Sequence, residues 1–245
     1  MSRTIIITGA SQGIGKATAE AFLKAGWTVG CLARSAEKLD AAFAGQDRTM
    51  NLPCDVTDSG AVDAAFDRFV AEHGRLDAIF NNAGRGSPAE SIDEITDETW
   101  NAVLSVNVTG MFNCARAAFR HMRAQSPQGG RIVNNGSISA YAPRWRSVPY
   151  TTTKHAITGL TKCLSIDGRP FDIACGQIDI GNALTDMTED MATGKPQADG
   201  SMVPEPTMDV NHVAQAVLHM CDLPLETNVQ TMTIMATKMP YVGRG

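Results

Sequence analysis

The chain has 245 residues, 43% of them hydrophobic and 19% charged, and a formal net charge of −5 at pH 7 with a pI near 5.5. That length and apolar content suit one α/β domain with a large core. The acidic balance, with no run of Lys or Arg, excludes nucleic acid and an anionic membrane surface as expected partners. The first apolar run, Ile5-Ile-Ile7, is far too short for a signal or membrane-spanning segment. Six scattered cysteines without a C-x-x-C pair read as buried free thiols of a reducing cytosol, and no metal centre is expected. The setting these features predict is cytoplasmic.

The β-branched run 4–8 predicts a buried strand. It leads directly into Gly9-Ala-Ser11-Gln12-Gly13-Ile14-Gly15 and then an Ala-rich helix over 16–24 that stops near Gly26. A glycine turn between strand and helix lets backbone approach a pyrophosphate, and the helix N-terminus offers free N–H groups at a positive dipole end. The next strand is 27–33. Where an acid would meet a ribose 2′-hydroxyl, this chain has Ala33 and then Arg34. A guanidinium there suits a 2′-phosphate, so NADP(H) is preferred over NAD(H), which stays possible; the alternative is a solvated loop charge.

A helix over 36–43, a strand over 49–53 and Cys54-Asp55-Val56 follow. Asp55 either meets an adenine amino group or caps the helix that begins near Asp58. That helix runs to His73-Gly74, and the fourth strand, 76–80, ends in Asn81-Asn82-Ala83-Gly84. Helical patterning resumes over 97–122 with Asn107 inside it, an unfavourable place for Asn unless its side chain has a partner. A fifth strand, 131–136, precedes Ser137.

Ser137, Tyr150 and Lys154 form the constellation with the most chemistry in it. If Pro149 opens a helix, Tyr150 and Lys154 share one face at i and i+4. A cation about 4 Å from a phenol, at an effective dielectric near 20, favours the phenolate by up to ~4 kcal/mol and brings its pKa towards neutrality. Ser137 is then placed to hydrogen-bond a reacting oxygen. The helix continues to about Asp167, and strand six is 171–180. Residues 182–208 read as irregular, with Met187, Met191, Met202 and Met208 suited to an adaptable apolar lid. A helix over 210–220, capped by Asp209, and a strand over 229–235 close one domain spanning 1–245.

Taken in this order, the motifs resemble those of the short-chain dehydrogenase/reductase family over nearly the whole chain. Thr8-Gly9-x-x-x-Gly13-Ile14-Gly15 matches that family's cofactor turn, Asn81-Asn82-Ala83-Gly84 the motif after its fourth strand, and Asn107, Ser137, Tyr150 and Lys154 its catalytic tetrad. The resemblance implies a doubly wound (Rossmann-type) seven-stranded parallel sheet, hydride transfer between a nicotinamide cofactor and a small carbonyl or alcohol substrate, and a homotetramer or homodimer. It also implies roles. Tyr150 exchanges the proton with the substrate oxygen, Lys154 lowers its pKa and holds ribose hydroxyls, Ser137 orients the oxygen, and Asn107 holds a water linking Lys154 to solvent.

Two departures stand out. The family's Pro-Gly after strand six is Ile180-Gly181 here, with Thr185 in the place of the Thr that touches the carboxamide. The C-terminus lacks the usual Asp-Gly after the last strand. Two other classes compete with the reductase reading. A non-catalytic NADP-binding regulator needs only the cofactor half of these motifs, and a nucleotide-sugar epimerase needs a larger C-terminal domain than 245 residues allow. Trp145, between Arg144 and Arg146, either lines the substrate mouth or is an exposed loop residue, and His212 and His219 read as a solvated or packed pair.

Overall fold

The computed structural model describes residues 2–185, 188, 194–197 and 199–242. In chain order the elements are β1 (Thr4–Thr8), α1 (Gly13–Lys24), β2 (Thr28–Ala33), α2 (Ala36–Phe43), β3 (Thr49–Pro53), α3 (Ser59–His73) and β4 (Ala78–Asn81), then α4 (Asp97–Leu104), α5 (Met111–Ala124), β5 (Gly130–Asn135), α6 (Val148–Asp167), β6 (Ile173–Gly181), β7 (Lys195–Pro196), β8 (Met202–Val203), α7 (Val210–Asp222) and β9 (Thr231–Met235). Seven strands form one sheet in the order β3-β2-β1-β4-β5-β6-β9, every neighbouring pair parallel. This is the single-domain doubly wound α/β architecture, with the two-residue strands β7 and β8 pairing separately.

Alternation along the strands sends side chains into two cores. Ile5, Ile7, Val29, Cys31, Phe80, Val133 and Ile178 pack with Phe22 of α1 and Val213, Val217 and Met220 of α7. On the opposite face, Ile6, Leu32, Ile79, Ile132 and Cys175 pack with Val62, Phe66 and Phe69 of α3 and Cys114, Ala117 and Met122 of α5. Both faces are covered, which is why these strands read as continuous apolar runs. Gly30 fits the second core closely, since a Cβ there would meet Ile6 and the Phe69 ring at 2.9 Å.

Helix starts follow the sequence. Ser35, Asp58, Thr96 and Asp209 each accept a backbone N–H of the turn they cap, on α2, α3, α4 and α7, each cap contributing about 1 kcal/mol. The predicted continuous helix over 97–122 is instead divided by a π-helical turn over Ser105–Gly110. The wider turn brings Asn107 inward, where its Oδ1 accepts from Arg85 N at 2.8 Å and its Nδ2 donates to Arg85 O at 2.9 Å and Thr153 Oγ1 at 3.2 Å. Those bonds to non-local partners offset the irregular ladder.

Two further expectations are corrected. The thiols are not all buried: five are, whereas Cys163 is exposed, because its position on α6 faces away from the sheet. Helix α6 begins at Val148, so Pro149 is its second residue. Beyond β9 the chain turns back to bury Ala236 and Met239 against Ile138, beside Ser137. At the other end of the sheet, buried Arg131 donates to the carbonyls of Leu223, Pro224 and Thr227, satisfying the turn after α7. None of the described helices is long and apolar enough to cross a membrane.

Candidate active site

The strand order reverses between β1 and β4, and a crevice at the C-terminal ends of the strands is where a doubly wound sheet takes its ligand. A cleft of about 1210 Å³ lies there. At its floor the glycine turn uses the left-handed backbone that Cβ-bearing residues avoid, with φ +69° at Gly9 and +54° at Gly13. Gly15 lies behind the turn, where a Cβ would come within 2.2 Å of Gly9 O. Helix α1 therefore closes on the turn with its free N-terminal N–H groups towards the cleft. Ser11, Gln12 and Ile14 line the same wall.

The Asn81-Asn82-Ala83-Gly84 motif ties three strands together. Asn82 N and Ala83 N both donate to Thr8 Oγ1 at 2.8 Å, and Asn82 Nδ2 donates to Thr8 O at 2.9 Å. Asn135 Nδ2 then reaches Asn82 Oδ1 at 2.8 Å, so hydrogen bonds join the ends of β1, β4 and β5. Asn82, Ala83 and Gly84 border the cleft. Asn107 does not: it is 1% exposed and braces the Gly84–Arg85 loop against α6 from behind.

Arg34 borders the outer end of the cleft together with Ser35 and Lys38, two residues not singled out from the sequence. Asp55 and Val56 form the adjacent wall. The capping alternative for Asp55 is corrected: Asp58 caps α3, while Asp55 Oδ1 accepts from Thr57 N and Oγ1 at 2.9 and 2.8 Å. The Thr57 N–H, with smaller help from its hydroxyl and the Arg34 charge, holds that carboxyl below the usual range despite its partial burial.

At the inner end stand Ser137, Tyr150 and Lys154. Ser137 follows β5 in extended conformation, and its Oγ accepts from Ser139 N at 3.1 Å. With that lone pair engaged, the hydroxyl proton is left to donate into the cleft. Lys154 is 5% exposed and donates to Asn135 O at 2.8 Å, its Nζ lying 5.5 Å from the centre of the Tyr150 ring. The fourth predicted member, Asn107, joins the same helix through Thr153, whose Oγ1 also donates to Tyr150 O.

Beneath Ser137 lies Asp179, fully buried, whose carboxyl burial pushes above the usual range against the opposing effects of its hydrogen bonds and the Lys154 charge. Thr185 sits over the glycine turn, its Cγ2 3.4 Å from where a Gly13 Cβ would be. Ile180 and Gly181, standing where a Pro-Gly was anticipated, also line the cleft. Trp145 fits both of its sequence readings: it borders the cleft while 42% exposed, with the Arg146 guanidinium 4.3 Å from its ring centre.

Arg144 crosses from the loop before α6 to buried Glu205, both oxygens of which accept at 2.6 Å, and donates to Asn182 Oδ1 at 2.9 Å. Burial alone would raise the Glu205 carboxyl. The Arg144 hydrogen bonds and charge, with the Asn182 and Gln197 amides, outweigh it and bring the pKa from 4.5 down to about 2. Of the predicted lid, Asn182, Thr185, Thr188, Gly194 and Met202 border the cleft, while Met187 and Met191 lie outside the described residues. Five thiols (Cys31, Cys54, Cys114, Cys175 and Cys221) are pushed up by burial, and of these Cys54 alone borders the cleft. Among the described residues no group of three His, Cys, Asp or Glu is placed to hold a metal ion.

A parallel sheet with a glycine-turn crevice and a Ser, Tyr and Lys facing into it defines a dinucleotide-dependent α/β enzyme. The short chain dehydrogenase family model matches residues 3–196. A 3beta-hydroxysteroid dehydrogenase of Mediterraneibacter gnavus is 32% identical over 191 residues, covering 76% of this chain and 68% of the relative. The structure of 3-ketoacyl-(acyl-carrier-protein) reductase from Brucella melitensis, complexed with NADH, shares the fold with a TM-score of 0.85 at 22% identity, over 96% of this chain and 98% of that one. The NADP-bound structure of ElxO superposes with a TM-score of 0.83 at 26% identity, over 96% and 97% of the two chains. The chain belongs to the short-chain dehydrogenase/reductase family, the NAD(P)-dependent oxidoreductases of alcohol and carbonyl groups.

Proposed function

We propose that this enzyme interconverts a small ketone or aldehyde and the corresponding alcohol with NADP(H), using Tyr150 as general acid and base. The observation that carries the reading is the convergence of Ser137, Tyr150 and Lys154 on one cleft with the glycine turn at its floor. The cradle fits a dinucleotide. Its two positive-φ glycines leave backbone bare where side chains would otherwise project, and α1 supplies N–H groups for a pyrophosphate. Gly9, Ser11, Gln12, Gly13 and Ile14 would hold that pyrophosphate, with Gly15 shaping the turn. Asp55 and Val56 would flank the adenine, and Asn82, Ala83, Gly84 and Thr185 the nicotinamide half. Arg34, Ser35 and Lys38 together support the 2′-phosphate preference, and ElxO, bound to NADP, is a relative with that cofactor.

When bound, the cofactor supplies or accepts the hydride. The chain supplies the rest. The Ser137 hydroxyl, its acceptor side already occupied by Ser139 N–H, donates to the substrate oxygen and fixes its place. The Tyr150 hydroxyl gives that oxygen its proton in reduction and takes it back in alcohol oxidation. Lys154, anchored by one bond to Asn135 O, keeps two N–H donors for the ribose hydroxyls and the phenol side of the cleft. Asn107 holds the loop and helix in register, and the water relay to Lys154 belongs to the same proposal. The cytoplasmic setting and a homotetramer or homodimer are proposed with it.

The test is NADPH oxidation across a panel of aldehydes and ketones, with NADH and Tyr150→Phe in parallel. Turnover that favours NADPH and disappears in the variant supports the reading. Tight NADPH binding without turnover in either direction overturns it in favour of a cofactor-sensing role.

A further inference from the structure

We infer that Asp179 is a positioning residue for this reaction, holding Ser137 and the turn after it in the orientation that aims the serine hydroxyl at the substrate; the inference rests on the reading of Ser137 given above. Asp179 sits near the end of β6 with no exposed surface. A carboxylate so placed is tolerated only when its oxygens are satisfied. Oδ1 accepts from Ser137 N at 2.9 Å and Gln177 Nε2 at 2.7 Å, and Oδ2 accepts from the Tyr141 hydroxyl at 3.0 Å. The two oxygens thus grip both ends of one short segment. Residues 138–140 form a 3₁₀ turn, Ser137 enters it and Tyr141 leaves it.

Space and connectivity point the same way. A Cβ on Gly136 would lie 2.0 Å from Asp179 Oδ1, so the carboxylate occupies the room that any other residue before Ser137 would need. Gly136 and Asp179 are a matched pair. Gln177, which donates to Asp179, also accepts from Thr161 Oγ1 and donates to Thr158 Oγ1, both on α6 and both at 3.2 Å. The helix that carries Tyr150 and Lys154 is therefore joined to the serine through Gln177 and Asp179. With Oγ itself fixed by Ser139 N–H inside the gripped turn, any shift of the Ser137 peptide moves the hydroxyl relative to Tyr150. Displacements near 1 Å at a reacting centre cost roughly 100-fold in rate.

A double-mutant cycle with Ser137→Ala and Asp179→Leu tests this, read as kcat on the best carbonyl of the panel and as NADPH binding. Asp179→Leu is expected to lower kcat by roughly 100-fold while NADPH binding is kept. In the Ser137→Ala background the same change is expected to cost less than about 3-fold, because its effect runs through the serine. Asp179→Asn, which retains an acceptor for Ser137 N–H, is expected to recover most of the loss. Full additivity in the cycle, or equal losses of NADPH binding and kcat, would overturn the inference. Should Asp179→Leu not fold, Tyr141→Phe carries the test, since that ring is half exposed and only one grip is removed; a several-fold fall in kcat that vanishes in Ser137→Ala is expected, and an unchanged kcat counts against it. If Ser137→Ala alone is fully active, the serine assignment fails. Hydrogen exchange at the Ser137 amide then decides the structural half: faster exchange in Asp179→Leu or Tyr141→Phe upholds the grip, and unchanged exchange refutes it.

Discussion

The tightest statements attach to single side chains. Tyr150 borders the cleft and its hydroxyl has no hydrogen-bonded partner among the described residues, whereas the side chains of Ser137 and Lys154 are each pinned by one bond that leaves donors free. Tyr150→Phe should therefore lower kcat by at least roughly 100-fold, the usual scale of a lost acid or base, with NADPH affinity by fluorescence titration unchanged. Arg34 is exposed at the outer end of the cleft and its guanidinium makes no ion pair among the described residues. Arg34→Ala should raise the Michaelis constant for NADPH about 10-fold, the cost of one charge-assisted contact, while leaving that for NADH alone. Equal changes with both cofactors would remove the 2′-phosphate assignment.

Among elements, the glycine turn and α1 make the sharpest case. Because a Cβ on Gly15 would come within 2.2 Å of Gly9 O, Gly15→Ala must push backbone away as well as the Asn82 amide. Dinucleotide binding should drop by more than 10-fold, measured by calorimetry, with a melting temperature lowered by several degrees. These elements were legible in the sequence because each local signal agreed with the next: the 4–8 run with its glycines, Ala36–Phe43, Thr49–Pro53, and the Tyr-x-x-x-Lys spacing. What escaped depended on partners distant in sequence. The π turn around Asn107 is set by Arg85 and Thr153, 22 and 46 residues away. Asp179 drew no expectation from the sequence, because only the fold brings Ser137 and Tyr141 to it. Arg144 and Glu205 lie 61 residues apart, and no periodicity links them.

On the scale of the whole molecule, the Arg144–Glu205 pair fastens the loop before α6 to the stretch leading into α7. Its protonation linkage has a definite sign. The folded pKa of about 2 lies below the 4.5 of the free carboxyl, so the pair's stabilisation is complete above pH 4.5 and fades as pH falls towards 2. The difference corresponds to at most about 3 kcal/mol. Asp179 acts oppositely: with its pKa raised by burial, it withdraws stability as pH rises through the carboxylate range. Acid unfolding followed by circular dichroism should show Glu205→Gln less stable than wild type at pH 7 and nearly equal to it at pH 2. A gap that persists at pH 2 would assign the loss to packing rather than charge.

The uneven exposure of the thiols has a practical consequence. With five sulfurs enclosed and Cys163 alone on the surface, the native protein carries a single handle for a maleimide dye, nine residues along α6 from Lys154. A thiol titration should count one reactive group before denaturation and six after it. A native count near zero would mean that this side of α6 lies under a neighbouring subunit, and the same dye would then report assembly rather than catalysis.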